Sequence, residues 1–108
     1  RNSITITLFT NNAHAVGNVV RGNTVRRAPR GGISIDQVIE RTVVKRNHVF
    51  RAGDSGILVG NPTTTLTRNE ARYNHRLGIE AVEGVIDGGG NRASGNGDPR
   101  QCVNVVCS

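Results

Sequence analysis

The chain has 108 residues, with 14 Lys and Arg against 8 Asp and Glu for a formal charge of +6, and 35% hydrophobic residues. That length holds one domain, and the 28 Val, Ile, Leu and Phe residues exceed the ~20% level below which disorder takes over. One Tyr, two Phe and no Trp or Met leave a Val/Ile core, which packs best on pleated sheet; two cysteines exclude a disulfide-built scaffold and a four-thiolate zinc site.

No apolar run approaches the ~18–20 residues of a membrane span, and no basic-then-apolar leader is present, so no membrane partner is expected. The chain opens on Arg1 rather than Met and reads as a processed product or a piece of a longer parent. Its first segment, Ser3-Ile4-Thr5-Ile6-Thr7-Leu8, alternates as a strand does. Residues 1–17 are expected to form an irregular first coil or cap.

From residue 18 to 87 the sequence repeats. Asn23, Asn47, Asn69 and Asn91 are 24, 22 and 22 residues apart, and a Gly-Ile pair begins nine residues after each of the first three, at Gly32, Gly56 and Gly78. Apolar columns run Val20, Val44, Leu66, broken at Gly88; Val25, Val49, Ala71, Ala93; and Ile35, Val59, Ala81. Two-helix repeats are longer than this period, and a leucine-rich repeat needs more than the four Leu present. A β-solenoid remains, in which each repeat is one coil and coils stack about 4.8 Å apart. Four to five coils make a stack only about 20 Å tall. Gly and Asn are expected at its bends, where positive φ is tolerated. The four Asn are expected to form a side-chain amide ladder from coil to coil.

The remaining columns are charged. Arg30, Asp54, Arg76 and Asp98 stand seven residues after each ladder Asn and alternate in sign, as favourable cross-strand neighbours would. Arg26, Phe50 and Arg72 share a column, and Arg27, Arg51 and Tyr73 share the next. Planar guanidinium forks beside aromatic rings suit the carboxylates of acidic sugars, although arginines also solubilise a sheet surface and guard its edges. Nucleic acid fits the charge less well, because three aromatics offer almost no stacking platform.

Several motifs are absorbed by the repeat. Gly53-Asp54-Ser55-Gly56 looks like a serine-protease loop, but that machinery needs a His and an Asp from a much larger fold. His14, His48 and His75 do not share a column, so no metal site is expected. The glycine run 88–90 is neither a dinucleotide fingerprint nor a Gly-Gly-x-Gly-x-Asp calcium repeat. Residues 88–108 are expected to be a Gly-rich last coil and C-terminal cap. Within it Gln101-Cys102 falls roughly where a Gly-Ile pair belongs. In a straight strand Cys102 and Cys107 would be about 17 Å apart, so a disulfide requires a turn over 103–106 and suits a secreted protein; the other reading places Cys102 in the Ile column as a small hydrophobe.

The run from Asn18 to Ile35, the Gly56-Ile57 and Gly78-Ile79 coils and the ending from Asp87 to Cys102 resemble right-handed parallel β-helix repeats of the pectate-lyase-like superfamily. More narrowly, residues 15–108 resemble the C-terminal coils of secreted bacterial members. The resemblance implies an all-β, right-handed parallel β-helix and an extracellular location, and leaves activity open among lyases, hydrolases, epimerases and non-catalytic proteins. A lyase would add a calcium cluster and an Arg base, and an epimerase a Tyr/His/Asp group. No column here holds two or three carboxylates, and Asp98-Pro99 is followed by Arg100 rather than the His of the epimerase pattern. The expected function is binding of acidic polysaccharide by Arg27, Arg51, Arg72, Tyr73, His75 and Arg76, with no cofactor. The alternatives are a lyase or epimerase, which would bring Ca2+, and a structural module whose coils stack end to end.

Overall fold

A computed structural model describes residues 6–8 and 17–108 of the chain. All its regular structure is strand. In chain order the strands are β1 (Ile6–Leu8), β2 (Val19–Arg21), β3 (Thr24–Arg26), β4 (Ile33–Ile35), β5 (Val43–Lys45), β6 (His48–Phe50) and β7 (Ile57–Val59), then β8 (Thr65–Thr67), β9 (Glu70–Arg72), β10 (Ile79–Ala81), β11 (Ile86–Gly89), β12 (Arg92–Ser94) and β13 (Cys102–Val103). They stack into three parallel sheets: sheet 1 is β2-β5-β8-β11, sheet 2 is β3-β6-β9-β12 and sheet 3 is β1-β4-β7-β10-β13. The chain visits sheets 1, 2 and 3 in turn and then steps to the next coil, a parallel β-solenoid of about four turns. Of the expected first strand, β1 covers the end; residues 3–5, like His14, lie outside the described residues.

Three-residue strands follow from the pattern. In sheets 1 and 2 each strand turns only its central residue inward, Val20-Val44-Leu66 and Val25-Val49-Ala71-Ala93, except β11, whose four residues are all exposed. In sheet 3 the outer two residues turn inward, so Ile33-Ile57-Ile79 and Ile35-Val59-Ala81 form two stacked columns. With so few apolar residues per coil the interior is narrow, and small β-branched chains fill it where aromatics would not fit.

The glycines of the Gly-Ile pairs depart from expectation. Gly32, Gly56 and Gly78 do not have positive φ. They are required because the coils approach closely: a Cβ on Gly56 would stand 2.7 Å from Asn74 Nδ2 and 2.8 Å from the Gly78 carbonyl oxygen. Positive φ is found instead on both edges of sheet 2. One bend runs Gly22, Arg46, Arg68, Gly90 and the other Arg27, Arg51, Tyr73, Gly95, with φ between 54° and 74°.

The last coil also differs. Gly88 and Gly89 belong to strand β11 rather than to a loose bend, and the register slips between Asp87 and Gly89, so that Asp87, not Gly88, stands opposite Leu66. Cys102 pairs with Ile79 in sheet 3 and is also disulfide-bonded to Cys107, with Cα atoms 6.2 Å apart. The two readings of Cys102 are therefore compatible: it takes the Ile column position, half-buried, and the turn over 103–106 returns Cys107 to it. Residues 104–108 then cover the end of the stack. Ser108 exchanges backbone hydrogen bonds with Asn91 and Ala93 (3.0 and 3.3 Å), Val106 N–H donates to Asp87 Oδ2 (2.8 Å), and Val105 is buried against the core.

Candidate functional site: the basic faces flanking sheet 2

The corner between sheets 1 and 2 is built by the asparagine ladder. Asn69 Nδ2 donates to the Val44 carbonyl (2.9 Å) of the coil before and to Asn91 Oδ1 (3.1 Å) of the coil after, and its Oδ1 accepts from Asn47 N–H (3.2 Å) and Nδ2 (3.1 Å). Asn23 and Asn47 repeat the pattern. In the last coil Asn91 Nδ2 meets Leu66 O at 3.0 Å and Asp87 Oδ1 at 3.3 Å. A carboxylate, with acceptors only, is suited to ending a row of amides.

A second ladder escaped the sequence reading. Asn74 and Asn96 each lie five residues after a ladder Asn, where the earlier coils have Ala28 and Ala52. Asn74 donates through N–H (2.8 Å) and Nδ2 (2.9 Å) to Asn96 Oδ1, and Asn96 does the same to Gln101 Oε1 (3.2 and 2.8 Å). The two Asn at matched offsets were the available signal; two copies of four made it faint. These ladders hold the bends on either side of sheet 2 in fixed positions, and the bends carry the cations.

Outward from sheet 2, the column Arg26-Phe50-Arg72 stacks as the register requires, with the Arg26 guanidinium 5.9 Å from the Phe50 ring centre. One bend further, Arg51 lies 5.6 Å from the ring centre of Tyr73. Tyr73 is 55% exposed and rests across Gly95, where a Cβ would come within 2.5 Å of its ring. Glu70 is the acid of this face: it pairs with Arg72 and, at 3.2 Å, with His48 Nδ1. The face and its two edge bends hold Arg26, Arg27, Arg46, Arg51, Arg68, Arg72 and Arg92, seven of the fourteen basic residues, with one of the eight acids. Asp36, Glu40 and Glu83 lie on the opposite side, in the turns from sheet 3 back to sheet 1.

The six residues expected to bind are not all brought together. Arg27, Arg51, Arg72 and Tyr73 gather on sheet 2 and its edge bend. His75 and Arg76 lie past that bend, in the approach to sheet 3, both exposed. Arg76 pairs with Asp54 at 3.6 Å. The charge column keeps its backbone register, since Asp98 N–H donates to the Arg76 carbonyl at 2.9 Å. Asp98 nevertheless turns its side chain to Arg100 in its own coil (2.8 and 3.1 Å), whose guanidinium and backbone N–H hold the carboxyl down to about 2. The sign pattern could not foresee that nearer partner.

Ser55 of the protease-like loop is buried, donates to Glu80 Oε1 (2.8 Å) and accepts from Leu77 N–H (3.2 Å), a structural role. Among the described residues no three His, Cys, Asp or Glu side chains converge as a metal site would need. Comparison with protein-family models, with characterised proteins and with solved structures returned no match.

Proposed function

We propose that this solenoid is a secreted module of the right-handed, pectate-lyase-like β-helix class that binds acidic polysaccharide along the outer face of sheet 2. The observation that carries this reading is the segregation of charge: seven basic residues and a single acid on one face and its edges, on a rigid repeat that offers a new row of side chains about every 4.8 Å. A linear polymer with regularly spaced carboxylates or sulfates complements such a surface, and guanidinium forks grip those groups bidentately. Arg51 on Tyr73 and Arg26 on Phe50 give flat patches on which a sugar ring can lie. Arg27 and Arg72 extend the contact, and His75 and Arg76 would reach a chain that continues past the bend. The Cys102–Cys107 bridge is in keeping with an oxidising compartment.

The test is a glycan-array screen of the protein and of the Arg51→Ala/Arg72→Ala double variant at low salt. Retention of uronates or sulfated glycans, lost in the variant and at high salt, is expected. If neither protein bound any acidic glycan, the reading would fall.

A further inference from the structure

The edge of sheet 2 opposite Arg51 and Tyr73 carries cations that the repeat reading left aside. Along the bend Gly22-Arg46-Arg68-Gly90, φ is 69°, 56°, 54° and 74°. The left-handed region disfavours residues with a Cβ, and glycine or asparagine fills it at least cost. Arginine nonetheless occupies five of the eight non-glycine positive-φ positions described. An arginine in a left-handed bend adds nothing to the bend itself. What it adds is a cation held out from a fixed point of the backbone, and residues kept in disfavoured conformations tend to sit where function requires them.

Arg68 is also guided by its neighbour. A Cβ on Gly90 would stand 2.9 Å from Arg68 Cγ, so the bare glycine lets the Arg68 side chain lie over the last coil. There it borders, with Arg92, an open hollow of about 430 Å³ whose wall also includes His48, Glu70 and Ser108. Glu70 is engaged by His48 and Arg72, whereas among the described residues Arg68 and Arg92 form no ion pair. Two unpaired guanidinium groups over one hollow are a receptor for an anion.

We propose that this hollow is an anion subsite in which Arg68 and Arg92 hold one carboxylate or sulfate, with Arg46 one coil below to meet the next. The hollow needs only the anionic group. That the group belongs to a polysaccharide rests on the function proposed above. Five residues separate this bend from the one bearing Arg51 and Tyr73, about 16 Å of extended chain, so a polymer laid across sheet 2 reaches both edges while a short fragment engages one. Linking the two contacts makes the second effectively intramolecular, and affinity rises with oligomer length once that span is covered.

Calorimetry with polygalacturonate and with heparin, on wild type, Arg68→Gly and Arg92→Gln, tests the subsite. Each variant is expected to bind at least about tenfold more weakly, with a salt dependence shallower by about one counterion. Arg68→Gly, freed of its left-handed Cβ, is expected to melt no lower than wild type, which separates lost binding from lost folding. Wild-type affinity in both variants would overturn the subsite and leave the polysaccharide reading standing. Should wild type bind neither polymer, inorganic sulfate followed by amide shifts of Arg68, Gly90 and Arg92 decides: saturable shifts absent in Arg68→Gly uphold the subsite, and no shifts overturn it.

Discussion

Asn69 shows how much one side chain does in a thin solenoid. It is 1% exposed, and it satisfies the backbone carbonyl of Val44 and both nitrogens of Asn47. Asn69→Ala removes these partners from groups that water cannot reach, each worth about 1–3 kcal/mol, so a loss of about 3–5 kcal/mol is expected in urea unfolding. Asn23→Ala, at the partly exposed end of the row, should cost about 1 kcal/mol. Thr42 and Thr64 make the opposite case. Both are fully buried, and among the described residues neither hydroxyl has a hydrogen-bond partner. Thr42→Val keeps the shape and removes the unsatisfied group, and should raise stability by about 1 kcal/mol; a destabilised variant would show that the hydroxyl is bonded in solution.

At the scale of bends and strands, close approach between coils matters as much as conformational freedom. Gly56→Ala would press on the Gly78 carbonyl and on Asn74 of the second ladder; overpacking of this kind costs about 2–3 kcal/mol, visible as a lower melting temperature. The terminal bridge closes a short loop, and in the chain-entropy account its reduction should cost about 2 kcal/mol. Faster hydrogen exchange at Ala93, whose N–H is covered by the Ser108 carbonyl, would locate that loss. The 98–101 turn adds a pH dependence. Asp98 titrates near 2, below its ordinary 3.8, so its pairing with Arg100 stabilises the fold above pH 4 and fades as pH falls toward 2. Asp98→Asn should remove that part of the acid sensitivity in thermal melts.

The ladder Asn, the Ile column and the register of sheets 1 to 3 were legible because residues one coil apart stack directly, so sequence offsets become distances. What escaped the reading was local. The slip at Asp87 and the turn of Asp98 to Arg100 both lie in the last coil. Among the described residues no further coil stacks on it, and the contacts of residues 101–108 set its geometry instead. The candidate site was half legible: the Arg and aromatic columns followed from the period, but the pairing of Arg72 with Glu70 and the hollow beside Arg68 depend on side-chain directions that a period does not encode.

For the whole molecule, two features govern what it can meet. Residues 101–108 occupy the sheet edges and ladder ends that another coil would use, so stacking through this end would first require 104–108 to leave. Sedimentation that shows larger species only after reduction of the bridge would reveal such an opening. The other feature is the charge division, with the basic surface around sheet 2 and Asp36, Glu40 and Glu83 on the far side. The most direct measurement of its purpose is a backbone-amide titration by NMR with oligogalacturonate long enough to cross sheet 2. The account predicts saturable shifts confined to β3, β6, β9, β12 and their two edge bends, suppressed by salt. Shifts centred on sheet 3 or the acidic turns, or none at low salt, would contradict it.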